Sequence, residues 1–389
     1  MSLTLAQLAV AAIALWLALK IVRGVYFSPL AKVPGPKFAA ATYLDEFYHQ
    51  AIRNDWGTYL KSLHQRYGPI VRISPNEVSI LDHDWSYVHF NKRNLDKEER
   101  YFQLAPRSTA TLTPHSEHKV RRDMIMPLFN GKSLRQFEAA SLSPYFSRLD
   151  RWLAQYAESG EPLNLTHLIW AASNDILVKY IFGSELGLLE KEDLAAGYRL
   201  RSFNATRLAS VFRQWPLVLL FKIRNLPIVR TIAALPIESL SARLTAPLYK
   251  SSPAADQKAP NNSVAKTLHE NHKLYQDASV LNPECAEFML GGTEAITYDL
   301  IHDFHGLLCH PAKIETLRAE LNALSKDGSN IWEDARVPSL PYLNAVVKEG
   351  LRLNDSEGIR FVRQSKDKVT YNGFELPPYY ITLHEIDAF

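Results

Sequence analysis

The chain opens on a nearly unbroken apolar run, Leu3 to Val22, in which only Thr4, Gln7 and Lys20 are polar. Apolar on every side, it reads as one helix, and at about 1.5 Å per residue its length matches the roughly 30 Å hydrocarbon core of a bilayer. Lys20, Arg23, Lys32 and Lys37 follow on one side only, so the positive-inside rule expects residues 1–24 to be a membrane anchor with the body in the cytosol. A cleaved signal peptide fits less well, because no Lys or Arg precedes the run and no clear small-residue cleavage site follows it. Val33-Pro34-Gly35-Pro36 cannot continue a helix, and residues 25–37 read as a stiff Pro-rich linker to a body at 38–389.

Within the body, the β-branched runs Ile70–Ile73 and Glu77–Ile80 flank Ser74-Pro75-Asn76 and predict a hairpin. Elsewhere the pattern is helical, with apolar residues at three- and four-residue steps over Ser133–Ala157, His167–Phe182 and Ile314–Leu324. The stretch 251–263 is polar and rich in Pro and Ala, which predicts a surface loop. The expected fold class is mainly α with a small β portion.

Composition narrows the function. The 389 residues are 47% hydrophobic and 22% charged, which is globular, and a net charge of +3 shows no nucleic-acid footprint. Two cysteines, Cys285 and Cys309, exclude a disulfide framework or a Cys-rich zinc module. There is no phosphate loop, no nucleophile elbow and no zinc-binding His-Glu-x-x-His; His269 and His272 come near the last, but their spacing of three is wrong and suits a solvated surface.

The most informative segment is Ser339 to Leu353. Pro341 suits a helix start, and Glu349 and Arg352 fall three apart on one face. With the Pro-Gly-Pro break, the Tyr67-Gly68-Pro69 hairpin and the apolar N-terminus, this segment resembles the cytochrome P-450 superfamily, specifically its membrane-bound fungal members. The resemblance implies that fold, preceded by one N-terminal transmembrane helix, and implies that Glu349 and Arg352 lock the fold on the proximal side of a haem. It makes His118 and Arg122, four apart in His115–Arg122, donors to a haem propionate, a carboxylate that favours a charge-assisted donor. Arg363 would be a second such donor. Ala286–Leu300 looks like the long helix that crosses over the haem. There Gly291 and Gly292 leave room for ligand and oxygen, and Glu294 with Thr297 would relay protons. Ala295 and Ile296 stand where the family commonly has Thr, a departure at that relay.

One family element has no counterpart. The haem-thiolate cysteine of the family lies in a Phe-x-x-Gly-x-x-x-Cys-x-Gly loop downstream of the Glu-x-x-Arg helix, and no such loop occurs in residues 1–389. Cys285 and Cys309 lack the glycines of such a loop and are expected to be inert buried cysteines. The resemblance therefore implies haem b, a lipophilic secondary metabolite as substrate, an NADPH-dependent flavoprotein reductase as partner, and residence on the endoplasmic reticulum membrane. It also leaves three readings of this chain: a monooxygenase, impaired for want of the axial cysteine; a non-catalytic remnant or haem-free lipophile-binding or partner protein; or an incomplete product of a longer gene. No residue is assigned as a metal ligand.

Overall fold

The structure, a computed structural model, describes residues 4–92, 94–98, 108–202, 204, 236–249, 263–324, 336–353 and 362–384. Of the loop expected at 251–263 only Ser263 is described, and it is buried as a helix cap; the terminal residues 385–389 lie outside the described residues.

The apolar run forms α1 (Leu5–Tyr26). Thr4 accepts from the Gln7 amide while the Gln7 side chain accepts from the Thr4 amide, a reciprocal cap that satisfies two orphan donors. Leu8, Val10, Ile13, Leu15, Trp16 and Leu19 are all exposed. No helix among the described residues is long and apolar enough to cross a membrane.

The stretch read as a stiff linker is pinned to the body. Leu30 and Val33 are buried with Ile70, Val78 and Ile80. The Arg72 amide donates to the Pro34 carbonyl at 2.7 Å, and a Cβ on Gly35 would lie 2.3 Å from the Arg72 carbonyl oxygen, so only glycine allows this approach. Arg72 itself is 2% exposed. Its guanidinium donates to the carbonyls of Gly24 (3.0 Å) and Pro75 (2.8 Å), which caps the last turn of α1 from the sheet.

The short α2 (Lys37–Ala41) and α3 (Leu44–Phe47) lead into α4 (Trp56–Tyr67). The hairpin forms as expected, with β1 (Ile70–Ser74) antiparallel to β2 (Glu77–Ile80). After α5 (His83–Lys92), the two-residue strands β3 (Asp96–Lys97) and β4 (Arg363–Gln364) join β7 (Ile381–His384) to complete a five-stranded sheet in the order β1-β2-β7-β4-β3. A separate pair, β5 (Val369–Tyr371) and β6 (Phe374–Leu376), is tied back where the Tyr371 hydroxyl donates to Asp82 at 3.1 Å.

The rest is helical: α6 (His115–Ile125), α7 (Gly131–Ser141), α8 (Ser143–Ser159), α9 (Leu165–Phe182), α10 (Pro236–Thr245), α11 (Val264–Asn271), α12 (Ala278–Leu308), α13 (Pro311–Leu324) and α14 (Pro341–Leu353). The single run expected over 133–157 is two helices, because Pro144 has no amide to continue α7 and instead opens α8. The central helix α12 is longer than the segment quoted from the sequence; Asp277 caps it by accepting from the Ser279 amide. It packs along α9, and Val178, Ile181, Leu281, Cys285 and Met289 of the two helices form the main core with Val264 and Leu268 of α11. Inside α9, the buried Asp175 carboxylate accepts from the amides of Leu188 and Leu189, both at 3.0 Å, and so fixes the chain after the helix.

Candidate anion-binding site

Two strands and one helix bring cations together. In the β3–β4 ladder Lys97 stands directly opposite Arg363, a pairing of like charges that destabilises a sheet unless something compensates it. Asp96 accepts from the His115 amide at 2.9 Å and docks the start of α6 beside that ladder. From there α6 presents His115, His118, Lys119 and Arg122, spaced by three and four, on one face. Between helix and ladder is a cavity of about 370 Å³, lined by Lys97, His118, Lys119, Arg122, Asp123 and Arg363, with Leu95, Thr113 and His115 completing the wall.

The electrostatics have one direction. Burial, then the neighbouring Lys97, Arg122 and Arg363, pushes half-buried His118 down to about 4, so its ring is neutral at pH 7. Burial and Arg363 bring Lys97 down to about 8, and burial lowers Arg363. Every shift disfavours more positive charge, and an anion in the cavity would relieve all three. The Lys97 ammonium donates to the Ala110 carbonyl at 2.8 Å, which aims it along the cavity wall.

Three residues named from the sequence, His118, Arg122 and Arg363, thus share one cavity. Lys97 was not legible, because only the register of two-residue strands far apart in the chain places it there.

The other named residues lie elsewhere. None of Gly291, Gly292, Glu294 and Thr297 lines this cavity. Glu294 accepts from Arg199 at 3.0 Å, while its second oxygen Oε1 and the Arg199 Nε are buried with no hydrogen-bond partner among the described residues. Thr297 is buried and donates its hydroxyl proton to the Thr293 carbonyl at 2.7 Å. A Cβ on Gly292 would meet Leu177 of α9 at 2.7 Å, so this glycine serves helix packing; beside Gly291 nothing lies within 4 Å. Glu349 and Arg352 form a bidentate pair at 2.7 Å on both arms, with side chains 55% and 44% exposed. Two structural carboxylates escaped the sequence: Glu320 of α13, which accepts from the Tyr342 and Leu343 amides at 2.8 and 2.9 Å and caps α14, and Glu284 of α12.

The cysteines divide. Cys285 is buried in the main core, and burial pushes its thiol well above the ordinary range. Cys309 was expected to be buried, but it ends α12 just before His310-Pro311 and is exposed, 3.8 Å from the His305 ring. Neither lines the cavity.

Comparison with known proteins decides what this scaffold is. The cytochrome P450 family model matches residues 44–380. The chain belongs to the cytochrome P450 family. Cytochrome P450 monooxygenase sdnE of Sordaria araneosa is 30% identical over 92% of this chain and 73% of its own length. Monooxygenase aflU of Aspergillus parasiticus is 30% identical over 91% and 72%. Tryptophan 6-hydroxylase fscE of Fusarium equiseti is 27% identical over 92% and 72%. Membership in this family implies haem. The carboxylate edge of that group fits the cavity, where Lys97, His118, Arg122 and Arg363 supply donors and excess positive charge. When bound, haem supplies the oxygen-activating centre.

Proposed function

We propose that this P450 chain binds haem by its carboxylates at the cationic cavity and that its biochemical context is oxidation of a lipophilic secondary metabolite. Under this reading an NADPH-dependent flavoprotein reductase supplies electrons. The observation that carries the cofactor reading is that Lys97, His118, Arg122 and Arg363, brought together from two strands and one helix, line one cavity. Glu294 and Thr297 lie three apart on one face of α12 and are the candidate proton relay. Since Thr297 already donates its proton, it offers lone pairs, and Glu294 must leave Arg199 before it can carry one.

The same reading places α1 on the endoplasmic reticulum membrane with the body cytosolic. Support comes from its exposed apolar side chains and from Lys20, whose ammonium sits 5.0 Å over the Trp16 ring as at a membrane interface. It also holds that residues 1–389 by themselves do not turn over substrate, because Cys285 is locked in the core and Cys309 points to solvent.

A single preparation of the 389-residue chain tests this. Protoporphyrin IX should quench protein fluorescence, and its dimethyl ester, which lacks the carboxylates, should not. Reconstitution with haem should give a reduced carbon-monoxide spectrum without a thiolate-type Soret band. Equal binding of the ester would overturn the cavity assignment, and a thiolate-type band would overturn the claim of inactivity.

A further inference from the structure

Glu284 takes no part in the chemistry described above, yet it is 1% exposed on α12. A carboxylate buried this deeply is costly unless its lone pairs are filled. Here they are filled from separate parts of the chain. Both carboxylate oxygens accept from the Thr109 amide at 3.1 Å, and Oε2 also accepts from the Thr109 hydroxyl at 2.8 Å and the Tyr275 hydroxyl at 3.2 Å. The Arg121 guanidinium stands 3.6 Å away. Thr109 is therefore held by two kinds of donor on one acceptor, far more firmly than a surface loop needs.

What Thr109 does next gives this arrangement a purpose. The carbonyls of Ala110 and Thr109 accept from the Lys97 ammonium at 2.8 and 3.5 Å, and the Thr113 carbonyl accepts from the Lys97 amide at 2.9 Å. The loop 108–113 thus brackets Lys97 at both its backbone and its tip, while Glu284 brackets the loop. We infer that Glu284 is a positioning residue for the anion cavity: through Thr109 it fixes the loop that holds the Lys97 ammonium in the cavity wall. The inference rests on reading the cavity as an anion site, but not on the identity of the anion.

The test uses the full chain without cofactor, so that its outcome is separate from that of porphyrin binding. Amide exchange over 108–113 and the pH profile of Lys97 acetylation by acetic anhydride are measured in the native protein, Glu284→Gln and Thr109→Val. Asp175→Asn serves as a control that disturbs another buried carboxylate, one that holds Leu188 and Leu189 and makes no hydrogen bond to the loop. In the native protein, half-reaction of Lys97 falls near pH 8, set by burial first, then by Arg363, Glu287 and Glu284, with His118 across the cavity feeling the same ammonium. Glu284→Gln should speed exchange over 108–113 by about tenfold or more. It should also move the Lys97 midpoint upward, because relief of burial outweighs loss of the distant carboxylate. Thr109→Val should shift both readouts in the same sense, and the double variant should add little to Glu284→Gln. If Glu284→Gln does not fold, Thr109→Val carries the test alone. Unchanged exchange and midpoint in the variants would overturn the inference, as would an equal change in Asp175→Asn, since that would be a general loss of stability.

Discussion

The two halves of α12 share a helix and a similar content of large apolar residues, but they meet different surroundings. From Val280 to Thr297 one side is sealed: Val280, Leu281, Cys285, Ala286, Met289, Thr293 and Thr297 are buried, and Val280, Leu281, Cys285 and Met289 share a core with α9 and α11. From Tyr298 onward four large side chains face outward, with Ile301 and Leu307 partly covered. Tyr298, Leu300, Phe304 and Leu308 are exposed, and Val347, Leu351 and Leu353 of α14 extend the same apolar surface. Periodicity states that a helix has an apolar side, but not whether another element covers it.

Core truncation should break the symmetry most strongly. Met289→Ala leaves a cavity in the sealed half and is expected to cost about 2–5 kcal/mol, whereas Phe304→Ala in the open half should cost within about 0.5 kcal/mol. Urea unfolding of both variants measures this directly, and equal midpoints would mean that the open half is packed after all. The adjacent glycines sharpen the contrast at one-residue resolution. Gly292→Ala drives a methyl group into Leu177 and should destabilise by about 1–3 kcal/mol. Gly291→Ala meets nothing within 4 Å and should stabilise by roughly 0.5–1 kcal/mol through helix propensity. A loss at both positions would show that the helix itself, and not its neighbour, requires glycine.

These contrasts also explain what could be read from the sequence. The hairpin was legible because Ser-Pro-Asn between β-branched runs has few alternatives, and the start of α14 because Pro341 fits only the first turn of a helix. His118 and Arg122 were legible only through the family resemblance, whose His and Arg four apart on one helix they match. Lys97 and Glu284 were not: one depends on the pairing of β3 with β4, the other on a loop that reaches α12 from far away in sequence. Glu349 and Arg352 were legible as a pair, but their 55% and 44% exposure is a property of packing that no spacing encodes.

The cavity and the open surface should respond differently to pH. His118 sits near 4 in the fold against an ordinary 6.5, so between those values the unfolded chain binds more protons. Stability should therefore fall as pH drops from about 6.5 to about 4. Lys97 acts in the same sense higher up, with stability rising as pH climbs from about 8 towards 10.5. His118→Gln should flatten the acid limb measured by urea midpoints. A bound carboxylate should raise the His118 value, which NMR titration of the ring would follow. If the acid limb is unchanged in His118→Gln, the cavity is not electrostatically strained.

The smallest effects should come from two carboxylates at opposite ends of one helix. Glu320 caps the start of α14 by accepting from two amides that have no partner within the helix, and Glu320→Gln should cost about 0.5–1 kcal/mol through loss of charge at the positive end of the helix dipole. Glu349 makes an equally short, bidentate contact with Arg352, but both side chains stand in water, where attraction is screened and the entropy of ordering two long side chains offsets it. Glu349→Gln is expected to leave the urea midpoint unchanged within error, and added salt should not separate it from the native protein. The contact distances of the two carboxylates differ by only a few tenths of an ångström, so distance does not rank them; what ranks them is whether the partner has water as an alternative. A clear loss in Glu349→Gln would mean that this pair is shielded in solution and that the surface formed by α12 and α14 is covered there.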